Sequence, residues 1–379
     1  MKSTKIQWCD CTFNHVIGCR KVSPGCQNCY AETYWKRFRI KTRIRTSTAN
    51  WREPVKWNAH PWICDACGAA TCVHPDGGLP CGPCGSRAGF HRVRVFCASL
   101  ADWLDDADVV MPDGRIDRCG VETMADLLHL IRKTPNLDWL LLTKRPENWR
   151  NRIEAAIGTM HCDPLDTGDV MDEWLRGNPP RNVWLGVSAE NQEWANKRIP
   201  ILLEIPARIK FVSVEPMLGP INFKDVPNFN RVSLSLHNWW VIFGGESGAK
   251  ARPCNVDWIR DGVRQCREAG VAAFVKQLGA VSVISYFEFM KPGQYITVED
   301  GVGVIHTMKI TKVREDNRTV TGEIAVYPSK KHHPVLKEVT VRAHQICWPI
   351  GTKLIDHKGG DPAEWSDHQL VREWPGGGR

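Results

Sequence analysis

The sequence predicts an α/β protein organised around a complete or partial barrel of parallel β-strands, and three observations support this. Six near-continuous apolar segments follow one another between residues 91 and 280, as expected for strands buried on both faces of a parallel sheet. Segments with helical periodicity separate most of them. A polar cluster follows each strand, and in a barrel the carboxyl ends of the strands line the active site.

The elements can be assigned in chain order. A short strand precedes a cysteine-rich loop at residues 18–31, and AETYWKRFRIKTRIR then predicts a helix followed by a basic segment. The six barrel strands are RVRVFC, LDWLLLT, NVWLGVS, RIKFVSV, WWVIFGG and VAAFVKQ. The intervening helices include VETMADLLHLIRKT, ANKRIPILLEI and NVDWIRDGVRQCREAG. Trp139, Trp184 and Trp239 lie within strand-like runs, so we expect them in the core.

The chain divides into four predicted regions. Residues 1–61 carry the first strand, the cysteine loop and the basic segment; residues 62–90 are an insertion; residues 91–280 form the barrel core; residues 281–379 form a β-rich unit with a polar tail. The last region alternates apolar and polar residues with period two, which predicts a small antiparallel sheet. The Lys-Lys-His-His run at 330–333 is interpreted as a solvated loop.

Composition limits the classes of protein that remain. The 379 residues contain no apolar run of about 18 residues, so we expect no membrane partner. The N-terminus lacks the apolar core of a secretory signal, which predicts a cytoplasmic protein. The 16 cysteines should then be reduced, so clustered ones indicate metal ligands rather than disulfides. The net charge of +8 permits a polyanionic partner such as nucleic acid.

The cysteine loop carries the strongest chemical signal. Cys19, Cys26 and Cys29 form a C-x6-C-x2-C pattern, and Tyr30 follows directly. Three thiolates in one loop can hold three irons of a 4Fe-4S cluster and leave the fourth iron open for a substrate or cofactor. Cys9 and Cys11 are alternative ligands, although buried small thiols are the simpler interpretation of both.

The insertion carries a second metal-binding pattern. Cys64-x2-Cys67 and Cys81-x2-Cys84 are separated by 13 residues, which suits a closed tetrahedral zinc site with a structural role. A second iron–sulfur cluster is the alternative. Cys72 and His74 are spare candidate ligands.

Polar residues at the strand ends predict a ligand pocket on one rim of the barrel. They are Ser99 and Asp102; Thr143, Lys144 and Arg145; Ser188, Glu190 and Asn191; Ser213 and Glu215; Gly244, Gly245, Glu246 and Ser247; and Lys276 and Gln277. Some of them could instead be helix caps, Ser99 and Ser188 above all. The two glycines could let the backbone approach a ligand closely, and Arg252 could pair with a carboxylate or phosphate.

The basic segment after the cysteine loop has two interpretations. Its cations alternate with apolar residues and have few acidic neighbours, so they could contact phosphates or form an ordinary solvated face. They are Lys36, Arg37, Arg39, Lys41, Arg43 and Arg45.

Several segments of the sequence resemble those of a known family. TFNHVIGCRKVSPGCQNCYAE, VFCASLADWL, LLLTKRPENW, WLGVSAENQEWANKRIPILL, KFVSVEPMLGPI, VIFGGESGAKARP, FVKQLG and LIDHKGGDPAEW look like blocks of a phage and bacterial family. That family is generally known as a phage-protein domain of unknown function and is related to radical S-adenosylmethionine (SAM) enzymes. The commonest radical SAM loop is C-x3-C-x2-C, whereas the first gap here has six residues. Tyr30 is similar to the aromatic residue in DNA-acting radical SAM lyases.

The resemblance implies a barrel of radical SAM type and a cofactor set. The open iron of a 4Fe-4S cluster would bind SAM, and an electron from a donor such as flavodoxin or ferredoxin would release a 5′-deoxyadenosyl radical. The Cys19, Cys26 and Cys29 ligands, with Lys144 and Glu215, are the candidate catalytic residues. Tyr30 and the strand-end residues would bind the cofactor.

The resemblance and the charge together suggest a substrate. Arg252, Lys276, Gln277, Lys36, Arg37 and Arg39 are the candidate substrate-binding residues, and DNA is the expected partner. The leading hypothesis is an isomerase-type rearrangement or other modification of a hypermodified thymine substituent in phage DNA, in the cytoplasm of the host cell if the protein is encoded by a phage. The alternatives are a pyrimidine-photoproduct-type lyase, as in spore photoproduct lyase, another radical SAM modification of nucleic acid, and a non-catalytic zinc-dependent DNA-binding protein.

Overall fold

The computed structural model describes residues 4–71, 80–87, 89–160, 166–228, 238–248 and 250–280. Beyond residue 280 it describes the backbone of residues 282–283, 295–299, 305–313, 319–326, 335–342 and 346–347. Cys72, His74, the run at 330–333 and the tail at 348–379 lie outside the described residues.

Seven parallel strands in the described chain form a curled, open half-barrel. They are β1 (Cys11–Phe13), β2 (Arg94–Cys97), β3 (Asp138–Thr143), β4 (Val183–Ser188), β5 (Ile209–Val214), β6 (Trp239–Gly244) and β7 (Ala272–Gln277). Each strand pairs with the next in chain order, so β1 and β7 are the two edges. The strand before the cysteine loop and the six later strands are thus confirmed, and the barrel is partial.

Helices connect and cover the strands. They are α1 (Tyr30–Arg37), α2 (Thr48–Ala59), α3 (Val121–Lys133), α4 (Trp149–Ile157), α5 (Thr167–Leu175), α6 (Gln192–Glu204) and α7 (Val256–Glu268). The helices predicted at α1, α3, α6 and α7 are confirmed. Asn191 is the N-cap of α6, where its side chain accepts a hydrogen bond from Trp194 N at 3.2 Å.

The two faces of the sheet bury different side chains. Successive residues of a strand point to opposite faces, so Trp139 and Leu141 join the helix-covered core whereas Leu140 faces the concave side. The concave side is filled mainly by aromatic rings, namely Trp8, Phe96, Trp184, Phe211, Trp240 and Phe274. Trp8, from the N-terminal segment, lies 4.5 Å from Phe96 between ring centroids. This aromatic layer closes the inside of the half-barrel below the strand ends.

The described chain also contains four smaller sheets. A four-stranded sheet comprises Val16–Ile17, Ile44–Arg45, Val109–Val110 and Ile116–Asp117. The insertion forms a three-stranded sheet from Ala70–Thr71, Trp62–Cys64 and Phe90–Arg92, and Cys254–Asn255 pairs with Ser282–Val283. The antiparallel sheet predicted near the C-terminus comprises Val335–Arg342, Thr319–Val326, Ile305–Val313, Tyr295–Glu299 and Ile346–Cys347.

None of the helices in the described part of the chain has the length and apolar character that crossing a bilayer requires.

Candidate functional site

The cysteine loop (residues 18–31) is shaped by a glycine and a short turn. Gly18 has a φ of +105°, and a Cβ there would lie 3.2 Å from Arg43 Cα. Residues Pro24–Cys26 form one 3-10 turn, and Cys29 is the N-cap of α1. The loop therefore places Cys26 and Cys29 on either side of a tight reversal that leads directly into a helix.

The three cysteines of the loop line a central cavity of about 380 Å³ at the carboxyl ends of the strands. This volume lies within the range of small-molecule sites, about 300–1,000 Å³. The cavity also brings together many of the residues predicted from the strand ends. They are Tyr30, Ser99, Asp102, Thr143, Lys144, Arg145, Ser188, Ser213, Glu215, Ser247, Lys276 and Gln277.

Glu190 supports the cysteine loop from behind the cavity. It is fully buried, accepts a hydrogen bond from Ser23 Oγ at 2.5 Å, and pairs with Arg198 at 3.0 Å. A Cβ at Gly25 would lie 2.3 Å from Glu190 Oε1, so only glycine fits at this position of the loop. The predicted Glu190 is thus in contact with the loop, and its carboxylate is already engaged by protein groups.

Glu246 and Arg252 form a second support. Arg252 donates to both carboxylate oxygens of Glu246, at 2.9 and 2.6 Å, and also to Pro24 O at 3.0 Å. Asn28 Nδ2 donates to Glu246 Oε2 at 3.1 Å. Burial disfavours the ionised carboxylate of Glu246, but the hydrogen bonds from Arg252 outweigh this effect and lower its pKa. Both predicted residues therefore hold the cysteine loop against the end of β6 and do not line the cavity.

The two predicted glycines at the end of β6 lie close to other parts of the protein. A Cβ at Gly244 would lie 2.6 Å from Glu215 Oε1, and one at Gly245 would lie 2.2 Å from Leu278 O. The close approach that they allow is therefore to the protein itself. Gln277 Nε2 donates to Gly245 O at 2.8 Å, which holds this backbone in place.

Two lysines in the cavity wall are paired with polar groups. Lys144 Nζ donates to Ser188 Oγ at 3.0 Å and lies 3.9 Å from Glu190 Oε1. Lys276 Nζ lies 2.9 Å from Glu215 Oε1. These contacts place a cation on each of two strand ends, β3 and β7.

A buried charge network holds the first part of the loop. Asp102 accepts from Thr143 Oγ1 at 2.7 Å and from Arg145 Nη1 at 3.2 Å. Arg145 also donates to Arg20 O at 2.6 Å, directly after Cys19. Asp105 is fully buried and accepts from Arg20 N at 2.8 Å. The structure thus assigns Asp105 and Arg20 a place in the site that their sequence context does not reveal.

We expect the change Asp105→Asn to destabilise the fold by about 3 kcal/mol, because it leaves buried arginines without full compensation. Arg43 and Arg145 lie 3.8 and 3.3 Å from this carboxylate. Chemical denaturation would measure the free energy of unfolding. Asp106→Asn is the matched control, since Asp106 is exposed and its ion pair in the described chain is with Arg20 at the surface, where ion pairs contribute little. Equal stability of the two variants would contradict the prediction.

The same carboxylate predicts a pH dependence. Burial opposes ionisation, but the charge of Arg43 and the backbone N–H of Arg20 lower the pKa of Asp105. Its contribution to stability is therefore present above the unfolded-state pKa of about 3.9 and is lost as the pH falls through the lower folded-state pKa. The stability difference between the wild type and Asp105→Asn should shrink over that acidic range.

Cys9 and Cys11 lie in the two cores and not in the cavity lining. Cys9 packs in the concave aromatic layer and Cys11 in the helix-covered core. Burial and the charge of Asp10 raise the pKa of Cys11 to about 12. Both thiols therefore match the interpretation as small buried side chains. Burial and Asp102 also raise the pKa of Cys19 to about 12, so this thiol stays protonated unless a metal displaces the proton.

The basic segment divides into two groups. Arg43 is buried and donates to Gly18 O at 3.3 Å, and Arg45 pairs with Asp126 at 2.5 Å. Both therefore stabilise the fold. The exposed cations of the segment are Lys36, Arg37, Arg39 and Lys41, of which Lys36 pairs with Glu32 at 2.9 Å.

Cys64, Cys67, Cys81 and Cys84 come together as predicted, with all four sulfurs within 4.8 Å of one another. The Sγ atoms of Cys64 and Cys84 are 3.9 Å apart and those of Cys67 and Cys81 are 3.7 Å apart. A tetrahedral zinc ion with Zn–S bonds of about 2.3 Å requires sulfurs about 3.8 Å apart. The four thiols are therefore placed to hold one metal ion such as zinc.

Sequence reasoning missed the residues that line the cavity floor and anchor the loop. Trp8 lines the cavity, is buried, and its indole N–H has no hydrogen-bond partner in the structure described here. Ser23, Gly25 and Asn28 lie between the cysteines and make the loop's contacts with the strand ends. The polar and small residues between the cysteines are the feature of the sequence that could have indicated these contacts.

Comparison with known proteins identifies a family. No curated protein and no solved structure matches this chain significantly. A family model with the description "Protein of unknown function (DUF5131)" matches residues 3–326 of the 379. Since the match spans most of the chain, the protein belongs to the DUF5131 family.

Proposed function

We propose that this protein is a radical SAM enzyme of isomerase or lyase type that modifies a hypermodified thymine substituent in phage DNA. The observation that carries the proposal is the placement of Cys19, Cys26 and Cys29 on one cavity with the polar strand ends. Three thiols alone indicate a metal. Three thiols that open onto a cavity lined also by polar strand-end residues leave space for a second molecule beside that metal.

The residues fit a 4Fe-4S cluster and SAM. The three thiols are free and not in disulfides. All three line the same cavity, and in a 4Fe-4S cluster each of them would bind a different iron. Trp8 is buried and lines this cavity together with the three cysteines. When bound, the reduced cluster would supply the electron that cleaves SAM to methionine and a 5′-deoxyadenosyl radical.

The contacts narrow the roles of the protein's own residues. Arg145 and Arg252 are occupied by Asp102 and Glu246, so Lys144 is the best-placed cation to hold a ligand carboxylate. Glu215, directly after β5, and Lys276, near the end of β7, form an ion pair that could orient a polar substrate group. The aromatic layer below the cavity excludes water from that side.

The four-cysteine site has a structural role in this proposal. Four thiolates close the coordination shell of a zinc ion and leave no position for chemistry. The exposed cations of the basic segment and the charge of +8 suit a nucleic-acid substrate. A base within duplex DNA would have to leave the stack to enter the cavity.

The test is an anaerobic incubation of the cluster-loaded protein with reductant, SAM and phage DNA that carries modified thymines. We expect 5′-deoxyadenosine and a new or rearranged nucleoside in the mass analysis of the digested DNA. A parallel reaction with irradiated DNA tests the alternative of a pyrimidine-photoproduct lyase. If nucleosides stay unchanged while 5′-deoxyadenosine forms, the DNA assignment is wrong. A colourless protein that contains zinc only would favour the non-catalytic DNA-binding alternative.

A further inference from the structure

An unusual aromatic face lies next to the cavity. The large apolar side chains that are most exposed in the described chain are Tyr30 (54%), Tyr34 (37%), Phe38 (54%), Val55 (40%) and Ile116 (43%). Three of these five follow one another at intervals of four residues, two of them in α1 and Phe38 at its C-cap. Side chains at this spacing share one face of a helix. We call Tyr30, Tyr34 and Phe38 the α1 aromatic face.

This face begins at the cavity. The Tyr30 hydroxyl donates to Ser99 O at 2.6 Å, and its ring contributes to the cavity lining. The rings of Tyr34 and Phe38 are in contact, with centroids 4.5 Å apart. The helix rises about 6 Å over four residues, so the face extends from the cavity rim along α1 for about two turns.

Cations flank the far end of the face. Arg37, Arg39 and Lys41 are exposed, and no described carboxylate forms an ion pair with them. The Arg37 guanidinium lies 5.7 Å from the centre of the Phe38 ring. Arg39 has a φ of +54°, and its backbone N–H bonds to Lys36 O at 3.2 Å, which reverses the chain directly after the helix. The turn therefore concentrates positive charge beside two exposed rings.

We propose that the α1 aromatic face and its three cations bind unpaired nucleotides next to the base that enters the cavity. Exposed rings stack on bases of any sequence, and neighbouring cations contact the phosphates. In a duplex the base faces are covered, so this surface suits a single-stranded or locally opened substrate. The inference rests on the proposed function for the identity of the entering base, but the binding itself needs neither cluster nor SAM.

The test measures, by fluorescence anisotropy, the binding of the full chain to a labelled oligonucleotide of about 12 nucleotides. The oligonucleotide is used both as a single strand and as a duplex. We expect the Tyr34→Ala/Phe38→Ala variant to weaken single-strand binding about tenfold or more, with the salt dependence unchanged. Arg37→Ala/Arg39→Ala should also weaken binding, and should reduce the slope of log K against log salt by about 1.4. Ile116→Ala is the matched control, because it removes an equally exposed apolar side chain elsewhere.

The outcomes separate this inference from the proposed function. Equal binding by the wild type and both double variants, or an equal loss in Ile116→Ala, would overturn the inference. The inference would also be overturned if the protein bound no oligonucleotide but associated with itself or with anionic vesicles, and the aromatic substitutions abolished that association. Formation of 5′-deoxyadenosine is measured on the same proteins, loaded with cluster and incubated with reductant, SAM and phage DNA. Its absence, with oligonucleotide binding as predicted, would refute the radical SAM proposal and leave the α1 aromatic face as a nucleotide-binding surface.

Discussion

A variant with Cys19, Cys26 and Cys29 all changed to alanine is expected to hold no 4Fe-4S cluster and to form no 5′-deoxyadenosine. No other cysteine of the described chain lines the central cavity, so no thiol is placed to replace the three ligands. Cys19 and Cys29 are only partly buried, and the loop keeps its contacts through Glu190 and Glu246. The variant should therefore stay folded and keep one equivalent of the second metal. Iron and sulfide analysis, with chromatography of the SAM products, measures both results.

Cys9→Ala and Cys119→Ala are the controls for this prediction. Cys9 is the nearby alternative ligand, which the structure places in the aromatic layer, and Cys119 is exposed and distant in sequence from both metal patterns. Both controls should keep the iron content of the wild type. A full cluster in the triple variant, or loss of iron in Cys9→Ala, would show that the ligands have been assigned wrongly.

The strands could be predicted from the sequence because both of their faces are buried. Trp139, Trp184 and Trp239 are all buried in strands, as expected, although Trp184 packs with the concave layer and the other two with the helices. An uninterrupted apolar run does not reveal which side chain points to which side. Closure of the barrel depends on whether β1 meets β7, and neither strand carries a local signal for that pairing.

Contacts between distant residues explain most of what the sequence could not predict. Asp105 and Arg20 are 85 residues apart, and Arg145 and Arg20 are 125 apart, so no local pattern joins them. In the basic segment Arg43 and Arg39 look alike in sequence, but only Arg43 is buried against the loop that starts at Gly18. Their different roles follow from what folds against each of them.

The α1 aromatic face has a pattern that is visible in the sequence but suggests the wrong environment. Tyr30, Tyr34 and Phe38 have a spacing that is visible in the sequence. Apolar residues at such spacing ordinarily predict a buried helix face, so the pattern alone favours a core position. Their exposure, together with the contact between Tyr30 and Ser99 at the cavity, is what indicates a surface for a ligand.

The change Cys81→Ser is expected to remove the second metal and to open residues 62–71 and 80–92 while the half-barrel stays folded. The three strands of this insertion have only two or three residues each, and few of its described apolar side chains are buried. Such a small core cannot hold four converging thiols without a metal, whereas structural zinc sites contribute about 10–16 kcal/mol of apparent binding free energy. Cys81 is the appropriate ligand to change because it is buried in the site. The metal content should fall by one equivalent of zinc, or by all the irons of one cluster if the site holds a second iron–sulfur cluster.

Hydrogen exchange distinguishes local opening from global unfolding. Amides of the insertion should exchange faster in Cys81→Ser than in the wild type, and those of β3 to β6 should keep their protection, because the seven-stranded sheet has its own large core. Cys119→Ser makes the same chemical change at an exposed cysteine and should alter neither the metal content nor the exchange. One link to the barrel should weaken with the insertion, since His91 contacts Asp65 at 2.6 Å and Asp10 at 3.2 Å. Unchanged zinc in Cys81→Ser, or equally fast exchange throughout the barrel, would show that the four thiols do not stabilise a separate metal-dependent unit.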